Sequence, residues 1–391
     1  EVGWLELVNR FWFAPADPTT LGLMRICCGV LVVYMHVVYL AGLQTYFGKN
    51  AWQDLENANK YRHEAPTVHA PTDWTPEQND AANKPLDDPE KQKLRELYYQ
   101  DWYVDPVLAN QQGWYLWSVW FHVTDPAWMT VIAVGMLVVM VMFTLGLCTR
   151  VTSVLTWMAA MCFIQRSWTV LYGVDSIMNV LLIYLMISPC DAALSMDRWL
   201  SRRWTARRKG RKPEPAPLPV PSTWANFVLR LMQIHFCIIY LASGTSKLQG
   251  VAWWNGTALW GCLANYEFAP MQLAAYMWLI EFLAKHRLVW EMAMTSSAAF
   301  TLLLELGFPF LVWNRRLRPY MVAGAVMLHT GIALIMGLVT FSLFMLVLLL
   351  AFVPGEAIRR GTRVFVDWLR GKDLRAQAVA GPAGELALQR R

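Results

Sequence analysis

From Ala127 to Cys148 the chain runs for 22 residues without a single charge. The hydrocarbon core of a bilayer asks for about 20 apolar residues per helix, because each backbone N–H and C=O in it must be satisfied within the element. Few water-soluble folds bury such a stretch, so it directs the reading of the rest. Composition agrees: 56% of the 391 residues are hydrophobic and 16% charged, against about 25% charged in an average soluble domain. The 21 Trp suit the two headgroup levels, where an indole has one wet and one apolar edge. The expected fold is all-α, a polytopic membrane helix bundle.

Apolar runs predict about eight transmembrane helices, at 20–43, 127–148, 151–166, 174–190, 224–246, 288–312, 319–338 and 339–353. Several are short for a full crossing. Segment 257–287 is apolar but holds Asn265, Glu267, Pro270 and Glu281, and is expected to be re-entrant or to lie along the surface. Orientation follows the Lys/Arg bias of the loops. Loop 191–222 has eight basic residues against three acids and a Pro-rich end, and the tail 354–391 has eight against four. Residues 45–112 have seven against twelve, so loop 45–126 is expected on the non-cytoplasmic side. Eight spans then place both termini in the cytoplasm. The aromatic part of that loop, Leu94 to Trp120, is expected at the outer interface, and the tail, with Ile358, Val364, Phe365, Trp368 and Leu369 among arginines, suits an interfacial helix. The chain opens on Glu1; a preceding segment is expected, and no cleavable signal peptide is visible before the first apolar run.

Several function classes are excluded. No RNP, zinc-finger or helix-turn-helix pattern appears, so nucleic acid is not an expected partner. The seven histidines show no HExxH or other tight ligand spacing, and no metal is predicted. The seven cysteines contain no Cys-x-x-Cys and read as free thiols.

Ionisable residues inside apolar runs are functional candidates by default, because an unmatched charge there is costly. These are Arg25, Asp175, Lys247, Glu305 and His329, with His36 and His235 as weaker candidates. Counted from span ends, Asp175 and Lys247 fall near the outer face, His329 midway or further out, and Glu305 past the middle toward the cytoplasm. Asp175, Lys247 and His329 are thus expected to share a cavity, while Arg25 reads as snorkelling to phosphates. Tyr240, Ser243 and Gly244 precede Lys247 by seven, four and three residues. That small, polar helical face admits a neighbouring helix or a ligand. Glu305, just before Gly307 and Pro309, reads either as a site residue or as a partner for backbone groups freed by a helix distortion.

Four segments resemble a known family, the HTTM domain related to vitamin K-dependent γ-glutamyl carboxylase. They are Ala16-Asp17-Pro18 with Leu21, Arg25 and Gly29; Leu145-Gly-Leu-Cys-Thr-Arg150; Tyr240-Leu-Ala-Ser-Gly-Thr-Ser-Lys247-Leu248 followed by Trp253; and His329 followed by Thr340-Phe341-Ser342. In order, they cover residues 10 to 353. The resemblance implies an integral membrane enzyme in which Lys247 is the base on a reduced quinone, with oxygen and carbon dioxide as co-substrates. Epoxidation would be coupled to carboxylation of an unknown peptide or protein acceptor, a lyase-like activity. His329 and Asp175 would be catalytic partners, and Tyr240, Ser243, Gly244, Trp253 and Glu305 would bind the quinol. A bacterial-type inner membrane is the expected location.

The departures are specific. Ser246-Lys247 stands where the family has adjacent lysines, and Asp175 where it has a histidine. A carboxylate close to Lys247 would favour the ammonium and oppose its use as a base. Two other readings therefore stay open: a quinone-linked membrane subunit of DoxX-like type, and a structural or transport membrane protein.

Overall fold

The computed structural model of the protein describes residues 3–64, 116–210, 217–265 and 274–369. Among these residues every extended element is helical, and the only β pairing is a bridge between Ala16 and Ser222. In chain order the helices are α1 (Trp4–Phe13), α2 (Thr19–Ala41), α3 (Leu43–Phe47), α4 (Leu55–Glu64), α5 (Pro126–Leu145), α6 (Thr149–Arg166), α7 (Gly173–Ile187) and α8 (Met196–Arg208). There follow α9 (Thr223–Leu248), α10 (Val251–Trp254), α11 (Ala258–Leu263), α12 (Ala274–Lys285), α13 (Arg287–Leu311), α14 (Arg318–Met336), α15 (Val339–Leu349) and α16 (Gly355–Leu369).

Five of them, α2, α5, α9, α13 and α14, are long and apolar enough to cross a membrane. The outward face of α5 shows why: Val131, Val134, Val138, Val141 and Leu145 recur at helical spacing, and all are exposed. A continuous exposed apolar stripe of this kind is stable against lipid and a liability against water. The other three expected spans are helices too, but weaker ones. With 15 residues in α7 and 11 in α15, their rises of about 22 and 17 Å fall short of a core about 30 Å thick. The 18 residues of α6 carry Arg150, Gln165 and Arg166.

Among its described residues segment 251–285 holds three short helices, α10 to α12, none long enough to span; Glu267 and Pro270 lie outside the described residues. The basic stretch 191–222 is more structured than a loop, because α8 occupies its first half. Most of Leu94 to Trp120 lies outside the described residues. After α15 and a 3₁₀ turn to Phe352 the chain bends by 111° into α16.

The chain divides into two compact units, one of Glu1–Val33, Val139–Thr156 and Gly173–Arg391, the other of Tyr34–Val138 and Trp157–Tyr172. In the second, Trp120 and Phe163 are buried with Phe47 against Tyr39. Its fully buried Arg166 donates to the carbonyls of Gly48 at 3.1 Å and Gln53 at 3.0 Å.

In the first unit α9 is the central post. Ser222 caps it by accepting from Ala225 N–H, and Asn226 donates to the carbonyls of Phe11 and Trp12, tying α1 to its base. Further along, Gln233 donates to Ala351 O at 2.7 Å, and Phe236 packs against Phe308 and Phe352. The Ala16-Asp17-Pro18 and Leu145–Arg150 motifs are joints of this unit. Asp17 caps α2, accepting from Thr19 N–H at 2.9 Å, and pairs with Arg359 of α16. Gly146 turns the chain with φ +74°, a left-handed conformation that favours glycine. Its carbonyl accepts from Asp197 N–H at 3.0 Å, and the Asp197 carboxylate accepts in return from the N–H groups of Cys148 and Thr149 at the start of α6. Arg25 does not snorkel. It is fully buried, with Nη2 donating to Leu194 O at 2.5 Å.

Candidate functional site

The last two turns of α9 place Tyr240, Ser243, Gly244 and Lys247 on one face, since residues three and four apart are neighbours on a helix. That face meets α13. Gly244 makes the contact close: a Cβ there would lie 2.9 Å from Leu306 Cδ2 and 3.2 Å from Glu305 Cβ. Glu305 therefore reaches the end of α9, where Lys247 Nζ donates to Oε1 at 2.8 Å and Oε2 at 2.7 Å. Lys247 also donates to Ser243 Oγ at 2.5 Å, and Ser243 in turn donates to Glu305 Oε1 at 3.2 Å. An ammonium has three N–H donors and no acceptor, and these three bonds use all of them.

The triad is shielded unequally. The Lys247 side chain is 21% exposed and that of Glu305 8%, so the carboxylate is the more committed partner, and removing the lysine would strand it. Trp253, on α10 just past the end of α9, covers the ammonium, its ring centre 5.4 Å from Nζ, a cation–π distance.

Two turns back along α9, Tyr240 Oη lies 3.0 Å from His329 Nε2 of α14, and both side chains are buried. Tyr240 stacks on Phe236 at 4.4 Å and leans on Phe308 at 4.9 Å, and Phe341 of α15 stands 6.1 Å from the His329 ring. The other imidazole nitrogen, Nδ1, is buried without a partner among the described residues, as is Ser342 Oγ on the same α14–α15 hairpin. Whichever tautomer His329 adopts, one ring nitrogen is left as an unmet donor or acceptor, at a cost of about 1–3 kcal/mol. Unmet buried groups of this kind call for a ligand or a functional explanation.

The structure thus gathers Lys247, Glu305, Ser243, Gly244 and Trp253 at one place, with Tyr240 and His329 beside them. Asp175 is not among the groups that hold Lys247. It is buried in the first turn of α7, where the neighbouring Gly173 faces Phe341 of α15. The carboxylate expected to face Lys247 is therefore Glu305 and not Asp175. Glu305 is a side-chain partner, both of its carboxylate oxygens accepting from Lys247, in a helix that runs through Pro309 to Leu311.

The expected depths of Lys247 and Glu305 are corrected at the same time. Lys247 is 24 residues from the start of α9 and Glu305 six from the end of α13, about 36 and 9 Å along their axes. Counting from helix ends assumed that neighbouring helices share both surfaces; α9 and α13 are staggered, and their contact puts the two residues level. His235 is used elsewhere, its Nδ1 3.0 Å from Tyr184 Oη. His36, in the second unit, packs edge-on against Phe163.

Comparison with known proteins adds no relative. No family model, curated protein or solved structure matches this chain. Among the described residues no group of three or more His, Cys, Asp or Glu is arranged to hold a metal ion. All seven cysteines are free; four are buried and Cys148 is exposed. What the arrangement offers chemically is proton transfer. A carboxylate, a hydroxyl and an amine form one hydrogen-bonded chain, and a phenol–imidazole pair with an open nitrogen stands beside it.

Proposed function

We propose that this chain is an integral membrane enzyme that takes a proton from a lipid-soluble hydroquinone, of the carboxylase/epoxidase type to which its motifs are similar. The observation that carries the reading is the Lys247–Ser243–Glu305 triad set next to the Tyr240–His329 pair. The proposed topology has eight spans, with α6, α7 and α15 as short crossings, loop 45–126 outside, and both termini in the cytoplasm of a bacterial-type inner membrane. The HTTM domain is the family this proposal draws on.

Residues on the α14–α15 side fit a phenolic ring: His329 Nδ1 and Ser342 Oγ are buried polar atoms without partners among the described residues, and Phe341 supplies an apolar wall. A bound hydroquinone would supply, with oxygen, the strong base that lets carbon dioxide replace a weakly acidic C–H proton of an acceptor, one oxygen atom ending in an epoxide and the other in water. The protein's task is the first proton. An ammonium has no lone pair, so Lys247 must first pass a proton to Glu305. That step turns two charges into two neutral groups, which a medium poor in water tolerates better. Neutral Lys247 then accepts the phenolic proton at Nζ, and Ser243 Oγ holds the amine in place throughout. Tyr240 orients His329, whose open nitrogen binds the ring oxygen.

A second reading is favoured by the ion pair itself. A subunit of DoxX-like type would use Lys247 and Glu305 as a relay between quinone and a partner protein, with no carboxylation. The test is oxygen-dependent conversion of a reduced menaquinone to its epoxide by the protein in lipid, read by mass spectrometry, with Lys247→Ala run beside it. Epoxide from the unaltered protein alone establishes the enzyme. Its absence from both, with both folded, turns the reading to the relay.

A further inference from the structure

A groove of about 690 Å³ lies in the first unit, away from the triad. One wall is a single face of α2, from Thr19 through Ile26 to Val30, a rise of about 17 Å. The end of α5 at Thr144 and Leu145 and the stretch 217–219 close it with apolar groups. Val30, Leu145 and Leu218 are each about half exposed, so the groove is open to whatever surrounds the apolar surface of the bundle.

Its polar lining has one sign. Arg198 and Arg202 of α8 and Arg359 of α16 line it, and among the described residues no Asp or Glu does. Arg359 is anchored at the Thr19 end, donating to Thr19 Oγ1 and pairing with Asp17 behind the wall. Arg198 is anchored through the carbonyls of Ala192 and Pro217, at 2.5 and 2.8 Å. These guanidinium groups are thus held in place before anything binds. The surrounding surface has the character of a headgroup layer: Trp199 and Trp204 of α8 are exposed, with Arg203 and Arg208 stacked over them at 4.0 and 3.6 Å.

We infer that this groove binds one anionic phospholipid of the cytoplasmic leaflet, its phosphate at Arg198, Arg202 and Arg359 and an acyl chain along α2 toward Val30. Guanidinium groups recognise phosphate by paired N–H donors, and basic pockets on the cytoplasmic side of membrane helices are suited to such headgroups. A zwitterionic lipid offers the same tails but brings its own cation to the arginines. The Lys247 chemistry plays no part in this site; only the choice of leaflet rests on the proposed topology, and the binding test below does not depend on it.

The test is native mass spectrometry of the full chain carrying phosphatidylglycerol or phosphatidylcholine with identical acyl chains. Phosphatidylglycerol adducts should predominate by about tenfold. Arg202→Gln should lower their retention by about fivefold, the worth of one basic residue near an anionic surface. Val30→Trp, which fills the tail channel from an already exposed position, should lower it for either lipid. Equal retention of the two lipids would overturn the inference. So would phosphatidylglycerol retention unchanged by both substitutions, or complete displacement by excess inorganic phosphate, which would mean a phosphate site with no use for the tail.

Discussion

Two cations are set deep among the apolar helices of the first unit, and they are held in different ways. Arg25 on α2 is fully buried and donates to the backbone carbonyl of Leu194; its Nε and Nη1 have no partner among the described residues. Lys247 on α9 has all three donors engaged by a carboxylate and a hydroxyl. A guanidinium keeps its proton at every accessible pH, and a carbonyl cannot take one, so Arg25 is a fixed staple between α2 and the turn before α8. An amine facing a carboxylate can exchange a proton with it. In the second unit Arg166, bonded to two carbonyls, belongs with Arg25. The partner decides what a buried cation can do.

The largest effect that could break this comparison is expected at Lys247. Lys247→Ala should abolish epoxide formation, a loss of at least about 10²-fold for a missing general base. Because Glu305 would be left buried and uncompensated, it should also destabilise the fold by about 3–5 kcal/mol. The double substitution Lys247→Met, Glu305→Leu should recover most of that stability in thermal unfolding while remaining inactive. If the double variant is as unstable as the single one, the pair does not behave as an ion pair.

Gly146→Ala tests the staple. Its new Cβ would overlap the Arg25 guanidinium, and φ at this position is +74°, so about 2–4 kcal/mol of stability should be lost. Activity per folded molecule should not change. A drop in activity without loss of stability would mean that Arg25 does more than hold the fold.

Tyr240→Phe removes the hydroxyl from His329. A cost of about 1 kcal/mol in stability is expected, with epoxide formation lowered but not abolished. Quinol affinity, measured by displacement, should fall in parallel. An unaltered affinity would remove His329 from the binding site.

The smallest effect is a pH control in the second unit. Asp54 is held below its ordinary range chiefly by the Asn57 backbone N–H, which donates to it at 2.8 Å at the start of α4. A depressed carboxylate stabilises above its unfolded value and loses that contribution as pH falls through the folded one. Amide exchange in the first turn of α4 should therefore be steady, once corrected for intrinsic rates, down to about pH 4 and rise only below it. Asp54→Asn should remove that rise.

The helices were legible in the sequence wherever apolar length was the determining quantity. Long, predominantly apolar runs can satisfy their backbones in lipid only as helices, which is why α2, α5, α9, α13 and α14 lie where the hydropathy places them. The face Tyr240, Ser243, Gly244, Lys247 was legible for the same reason, as helical spacing is a local rule. Within the connection 191–222 the run of charges hides a helix, α8, that begins at the Ser195 cap.

What the sequence determined alone is the all-helical, membrane-type character and the short list of charges that a bilayer makes costly. Only the tertiary structure decided their partners. Whether Glu305 or Asp175 meets Lys247 depends on the stagger of α9 against α13, which Gly244 and Leu306 set by their close packing. Whether Arg25 reaches lipid or Leu194 depends on a turn 121 residues away at Gly146. Both are long-range contacts, fixed by shape complementarity between helices and not by the pattern within any one of them.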